Sequence, residues 1–493
     1  MAALWIKVAI SMRSAAIPIE RLAALGVFVL FVVPLVVLCA WRVPTGLVPD
    51  EPTQVARVAS VLNGQIIGHR VTTMNRASGG QDAGVTANFG LVVAAFAGTG
   101  KAAPAPFNTS PTKRLEWVRS ILWSPGPIFV SSVNTAAYAP VAYIPAALGM
   151  GVAILGGALP HAAIIGARLG NALAFSLLGI AALMLARRGR LLILVTLALP
   201  MTIWLAGSAN QDGVVIAVAV LGVALLTRAG PTAFWCGCAA LAAVALQKPP
   251  YLPLAVLPLI APQGLSWRAL QERLPGGIAV AVPGLLWSMA VVTFVAVPLL
   301  PSPLYHPGPL WPGNHADLFH SANAAAQLQG LLHHPIRAAL LPVRTLVGQF
   351  QELWHQFIGV LGILTIPLPH RLYTLWWLAL LSALGPLAAR PNIGEDGITR
   401  LPVTRLLVVA AMLCSAELIF LTLYLTWTPV GMDRIDGVQG RYFIPMLPVV
   451  VFVVPAIAVC ARLPRWVWWI IPIATILATD ATLPRLIAAC YQS

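Results

Sequence analysis

The chain has 493 residues, 59% hydrophobic and 9% charged, with 30 lysines and arginines against 15 aspartates and glutamates. Soluble domains carry about a quarter charged residues, so composition excludes an ordinary soluble protein. The net charge of +15 comes without a basic stripe interleaved with aromatics. It lies in short clusters between apolar runs, which points away from nucleic acid and towards the positive-inside bias of a membrane protein.

In chain order, Lys7, Arg13 and Arg21 precede an apolar run over 22–41. The run is too long for a signal-peptide core, and no small-residue cleavage site follows before Pro44, so a retained first span is expected. Further spans are expected at 162–186, 191–207, 212–228, 231–247, 250–263, 276–300, 371–388, 401–428, 442–460 and 466–480. Each approaches the roughly 20 residues a bilayer needs, giving an all-α, polytopic fold of about eleven spans. Residues 135–158 and 343–366 are apolar enough to compete. Their prolines, tyrosines and amphipathic pattern instead suit juxtamembrane helices. The whole of 1–493 then reads as one transmembrane domain with two large outer loops, 42–135 and 301–370. Loops of that length in a compact protein are usually functional.

Arginine clusters at 187–190, Arg228, Arg268/Arg273, Arg390/Arg400 and Arg462/Arg465 set one face, and the N-terminus, as cytoplasmic. The opposite ends carry "PDEPTQ", "GSANQDG", "QKPPY" and "GMDRIDGVQGRYF". The polar chemistry thereby converges on one side, although it played no part in choosing the orientation.

Asp50 suits an N-cap for a helix with Pro52 in its first turn, and Glu51 suits the helix dipole. A carboxylate at the mouth of a membrane cavity can also act as a general base or hold a divalent cation. Arg441 offers a planar fork for phosphate, though an interfacial arginine can simply snorkel. Lys248, Asp212, Asp433, Asp436 and Gln439 stand near span ends on the same face. Arg168 lies just inside a span, where charge normally faces a cavity or a partner. Glu417, deeper still, is expected to pair with a neighbouring helix. The six cysteines lack metal or CxxC spacing and read as packing residues. His306, His315, His320, His333, His334 and His355 match no zinc pattern.

"PDEPTQVARVASVLNGQ", "QKPPYLP", "FIGVLGILTIPLP" and "GVQGRYFIPMLP" together resemble a family of bacterial multi-pass membrane proteins of unknown function. The family often has an aromatic or histidine soon after the PDE motif, where this chain has Thr53 and Gln54. In arrangement that family is similar to the GT-C superfamily of membrane glycosyltransferases. The resemblance implies a juxtamembrane helix at 135–158, a second span opened by Arg168, and a catalytic acid after the first span. It also implies a polyprenyl-phosphate sugar donor.

The expectation is an inverting glycosyltransferase of the bacterial inner membrane, with a periplasmic site that modifies a glycan or glycolipid. Asp50 would be the base, with Glu51 a supporting acid or metal ligand. Arg441, Lys248, Arg168 and Tyr442 would hold the donor, with Asp212, Asp433, Asp436 and Gln439 in support. No cofactor is required beyond a possible divalent cation. Two rivals stay open. A flippase for a lipid-linked glycan is disfavoured by the absence of repeats and midplane polar sites. A non-catalytic assembly protein would keep the fold without needing Asp50.

Overall fold

The first apolar run forms one helix, α1 (Ile19–Arg42). Pro34 cannot supply a backbone donor, and a π-turn at Phe28–Val32 takes up the break just upstream. The computed structural model describes residues 19–73, 80–97, 111–260, 267–297, 324–389, 402–429, 432, 434–455 and 457–491. Asp433, His306, His315 and His320 lie outside the described residues.

Beyond α1 the chain turns into α2 (Glu51–Leu62) and then a small antiparallel sheet, β1 (His69–Thr72), β2 (Gln81–Asn88) and β3 (Pro127–Ser131). Val85 pairs with Val130 in this sheet, and the connections carry α3 (Phe89–Phe96) and α4 (Pro111–Ser120). The chain is mostly helical, as expected, and residues 42–135 add this small sheet, which the all-α expectation did not include. Its strands supply the alternate residues Ala83, Val85 and Ala87 to a core shared with Val55, Val58 and Ala59 of α2.

Residues 135–158 do not form a spanning helix. A short 3-10 turn leads into α5 (Ile144–Leu155), 12 residues long, against the roughly 20 a bilayer needs. It lies on α6 (Pro160–Leu185) through a glycine contact. A Cβ on Gly149 would stand 2.2 Å from the Gly166 carbonyl oxygen, and one on Gly170 would stand 2.2 Å from that of Pro145. Only glycine allows the two backbones to come so near.

The expected span at 191–207 is broken at Pro200 into α7 (Arg190–Ala198) and α8 (Pro200–Ala206), both buried. Next come α9 (Asp212–Leu226) and α10 (Pro231–Gln247), then a 3-10 segment Pro249–Ala255, α11 (Val256–Ile260) and α12 (Trp267–Phe294). The prolines at 249, 250 and 253 withhold α-helical donors, which leaves the tighter 3-10 form. The next described stretch supplies α13 (Ala324–His333), α14 (Pro335–Gly348), α15 (Phe350–Ile358) and a two-strand turn, β4 (Val360–Leu361) with β5 (Ile366–Pro367). Residues 343–366 are therefore no span either. The chain closes with α16 (His370–Ala388), α17 (Pro402–Thr426), a 3-10 segment Gly440–Phe452, α18 (Ala458–Ala461) and α19 (Val467–Tyr491).

Among the described residues, five helices are long and apolar enough to cross a membrane: Ile19–Arg42, Pro160–Leu185, Arg268–Phe294, Val403–Thr426 and Val467–Tyr491. Of the other expected spans, 371–388 forms one unbroken helix, α16, of 19 residues, and the rest are shorter, broken or 3-10 helices; α1, α7, α8, α9 and α16 contribute much of the core. Glu417 is exposed on α17 and has no ion-pair partner among the described residues, which corrects its expected pairing with a neighbouring helix.

Candidate functional site

The two adjacent acids after α1 take opposite courses. Asp50 has φ 60°, a left-handed backbone conformation that Asp and Asn tolerate better than most residues. The turn carries its side chain away from the start of α2, so it makes no capping hydrogen bond. Asp50 thus holds the expected N-cap position through its backbone carbonyl, which accepts from the Gln54 N–H at 3.0 Å, but without the side-chain cap. The Asp50 Oδ2 instead accepts a 2.5 Å hydrogen bond from Nη2 of Arg441.

Glu51 turns inward and is fully buried. Its Oε1 accepts from Arg168 Nε at 2.7 Å and from the Ala209 backbone N–H at 3.1 Å. Its Oε2 accepts from Arg168 Nη2 at 2.6 Å and from the Gly46 N–H at 2.9 Å. A carboxylate has about four acceptor positions, and all are filled. Arg168 also donates to the carbonyls of Val43 at 2.5 Å and Pro44 at 3.0 Å. The pair ties the end of α1, the start of α2, α6 and the 207–211 turn into one block. Glu51 has no lone pair left for a proton or a metal, and Arg168 no free fork for phosphate. In this structure both are engaged with each other and with backbone groups.

The same turn places Asp212. Asn171 donates to the Ser208 and Asn210 carbonyls at 2.9 and 3.1 Å, and Asn210 donates to the Pro49 carbonyl at 3.0 Å. The Asn210 Oδ1 then accepts from the Asp212 N–H at 2.9 Å. Asp212 is thus held next to the PDE turn and forms a 2.6 Å ion pair with Lys248. Its second oxygen lies 3.4 Å from Arg441 Nη1. Charges alternate along the row Asp50, Arg441, Asp212, Lys248. The Arg441 side chain is 1% exposed and that of Asp50 37%, so the row runs from the interior to an open edge.

Arg441 is aimed from behind as well. Its Nε donates to Gln439 Oε1 at 2.6 Å. Its guanidinium carbon lies 5.2 Å from the Tyr442 ring centre, and Lys248 Nζ lies 4.9 Å from the same centre. One aromatic face thus supports both cations. Tyr251 donates to the Tyr442 carbonyl at 2.7 Å and fixes that ring's backbone. Gly440 admits α15, since a Cβ there would fall 1.9 Å from the Leu353 carbonyl oxygen.

Sequence reasoning missed Tyr138 and Tyr251. Tyr138 approaches Lys248 at 5.9 Å, and its carbonyl accepts from Arg57 Nε at 3.2 Å and Nη2 at 2.9 Å. Arg57 is fully buried, and burial lowers its pKa. Burial, helped by Tyr442, Asp212 and Asp50, holds the Tyr138 phenol well above its usual range, so it is a neutral hydrogen-bonding group. The signal was available: "AYAPVAY" carries two tyrosines within an otherwise apolar stretch.

Asp436 does not join the row. Its backbone N–H donates to Thr428 at 3.1 Å, and burial raises its carboxyl pKa against the lowering effects of Gly437 and Trp427. For a divalent cation the residues present do not fit. Asp50 and Asp212 are bridged by a fixed guanidinium where a metal would have to sit, and Glu51 is saturated. Among the described residues no three His, Cys, Asp or Glu side chains gather as metal ligands.

No curated protein and no solved structure matches the chain. A family model, described as "Predicted membrane protein (DUF2142)", matches residues 30–450 and so takes in the PDE turn, Asp212, Lys248 and the start of the Arg441 segment. The chain therefore belongs to the DUF2142 family of membrane proteins.

Proposed function

We propose that the chain is an inverting glycosyltransferase that takes a sugar from a polyprenyl phosphate and gives it to a glycan or glycolipid at the periplasmic face of a bacterial inner membrane. On this reading the chain crosses the bilayer about eleven times, several crossings being short or broken helices sheltered by protein. The architecture would then be of the GT-C kind, with the N-terminus cytoplasmic. One observation carries the proposal: a partly exposed carboxylate, Asp50, is joined through a buried guanidinium to a second cation, Lys248, on one aromatic support.

That row suits a reaction that creates negative charge on phosphate while a hydroxyl loses a proton. Asp50 takes the acceptor proton. The acceptor oxygen attacks the anomeric carbon, and the bond from that carbon to the phosphate oxygen breaks with its electron pair. Arg441 and Lys248 stabilise the charge that gathers on the leaving phosphate. Asp50 cannot act as a base while Arg441 holds it. An arriving phosphate competes for the same guanidinium and so releases Asp50 only when a donor is in place. Tyr442 and Gln439 keep the fork aimed, and the Glu51–Arg168 block fixes the turn that carries Asp50.

The test uses full-length protein in proteoliposomes with a radiolabelled sugar on a polyprenyl phosphate. Acceptor-dependent release of polyprenyl phosphate, lost in Asp50→Asn, is the expected result. Movement of the intact lipid across the bilayer without bond cleavage would overturn the reading in favour of a transporter.

A further inference from the structure

A cleft of about 440 Å³ opens between the α14–α15 junction, one face of α15 and the β4–β5 turn. That volume lies within the roughly 300–1,000 Å³ of small-molecule sites. Its lining includes Gln349, Gln351, Glu352, His355, Gln356 and Thr365. Three are amides, one a carboxylate, one an imidazole and one a hydroxyl. Among the described residues the lining contains no lysine or arginine, although the Arg434 guanidinium lies against Gly348, one of the lining residues.

This chemistry selects among ligands. A phosphate or other anion is gripped by cationic forks, and here it would meet a carboxylate. An apolar ligand would leave the amides unpaired at the cost of their hydrogen bonds with water. Hydroxyl groups both donate and accept, so a polyhydroxylated neutral ligand can satisfy glutamine, glutamate and threonine together. His355 has one face stacked on Tyr373 at 4.0 Å, and burial, with His370, holds its pKa below the usual histidine range. It therefore presents a neutral edge.

The cleft is wired to the row. Gln356 donates through Nε2 to Glu352 Oε1 at 2.9 Å, and its Oε1 accepts from the Gly440 N–H at 3.0 Å. Gly440 is the residue before Arg441. One amide thus joins the carboxylate in the cleft to the segment that aims the guanidinium.

We infer that this cleft is the acceptor subsite, binding a neutral saccharide unit of the acceptor through Gln349, Glu352 and Gln356, the last of which is hydrogen-bonded to the segment that carries Arg441. It rests on the transferase reading for the word acceptor; the saccharide site itself is tested separately. Full-length protein in nanodiscs is titrated with maltose, cellobiose and mannobiose, with glucuronic acid as the charged control, by saturation-transfer NMR. In parallel, a cysteine placed by Gln351→Cys is labelled with a maleimide in the presence and absence of each sugar.

At least one neutral disaccharide should bind and slow the labelling, while glucuronic acid should do neither. Glu352→Ala and Gln349→Ala should each weaken binding by about tenfold, the loss of one or two good hydrogen bonds. Absence of binding by all three disaccharides, binding unaffected by both alanine variants, or equal binding of glucuronic acid overturns the subsite. Farnesyl phosphate is titrated into the same preparation. If it binds through Arg441 while no sugar binds, the subsite falls and the transferase reading stands. If sugar binds and farnesyl phosphate does not, the cleft stands and the transferase reading falls.

Discussion

Replacing Asp50 by Asn should move binding and turnover in opposite directions. The wild-type pair is short, 2.5 Å, with Arg441 buried and Asp50 about a third exposed. Two unit charges 4 Å apart at an effective dielectric near 20 attract by about 4 kcal/mol. Water at the open edge of Asp50 screens part of this, and a charge-assisted hydrogen bond leaves about 1.5–3 kcal/mol net. A phosphate that must displace Asp50 from Arg441 works against that amount. Asn keeps an acceptor and loses the charge, so phosphate affinity should rise about 10- to 100-fold. Loss of the base should lower turnover by about 10²- to 10⁴-fold. Folding should be little affected, since Asn tolerates φ 60°, whereas Ala in the left-handed region costs about 1–2 kcal/mol. The assay is calorimetric titration of farnesyl phosphate into detergent-purified full-length protein, for the parent, Asp50→Asn and, as control, Arg441→Ala. Equal or weaker binding by Asp50→Asn refutes the competition between Asp50 and phosphate. Undiminished binding by Arg441→Ala removes Arg441 as the phosphate group.

Arg441→Lys keeps the charge but loses the fork that reaches Asp50, Asp212 and Gln439 together; farnesyl phosphate affinity should fall about tenfold or more, and parental affinity would reduce Arg441 to a point charge. Glu51→Gln leaves the Arg168 cation buried without its counter-ion, so thermal unfolding should show a loss of about 3–5 kcal/mol; parental stability with lost turnover would return Glu51 to the chemistry. Burial raises the folded-state pKa of Asp436 above the ordinary aspartate value of 3.8, so the stability it contributes is full below that value and is lost as pH rises through the raised one. Asp436→Asn should therefore raise the melting temperature at neutral pH and lose that advantage towards pH 3.8, and a pH-independent difference would contradict the cause. For sidedness, Asn63→Cys should react with an impermeant maleimide from the periplasm and Ala229→Cys should not; labelling of residue 229 from outside would separate the site from that face.

The sequence made the ingredients of the row legible but not their partners. Asp50 and Arg441 stood out because charge is scarce at span ends in so apolar a chain. Nothing in a linear reading brings together residues 391 positions apart. Glu51 was grouped with Asp50 because adjacency suggested a shared role, whereas the left-handed turn at Asp50 sends the two side chains to different partners. Arg168 was recognised as a group needing a partner, and that partner proved to be Glu51. The sheet escaped notice because "QDAGVTAN" alternates small residues with polar ones, a weak strand signal inside a loop. The juxtamembrane α5 was legible from its prolines and tyrosines, and the break within 191–207 from Pro200. The cleft beside α15 was not, since its glutamines carry no spacing signature.

The two acids also differ in when they can find their cations. A ribosome delivers the chain from its N-terminus, and early segments fold while later ones are still being made. The Glu51–Arg168 clasp closes over 117 positions, so the first two spans and the turn between them can lock once α6 has been inserted. Asp50 must wait for a residue 391 positions downstream. During biogenesis the nascent protein is therefore a rigid scaffold with an unopposed carboxylate at its edge. The charged row can assemble only late, and a product truncated before residue 441 would insert and hold its first spans together yet bind no phosphate at that edge.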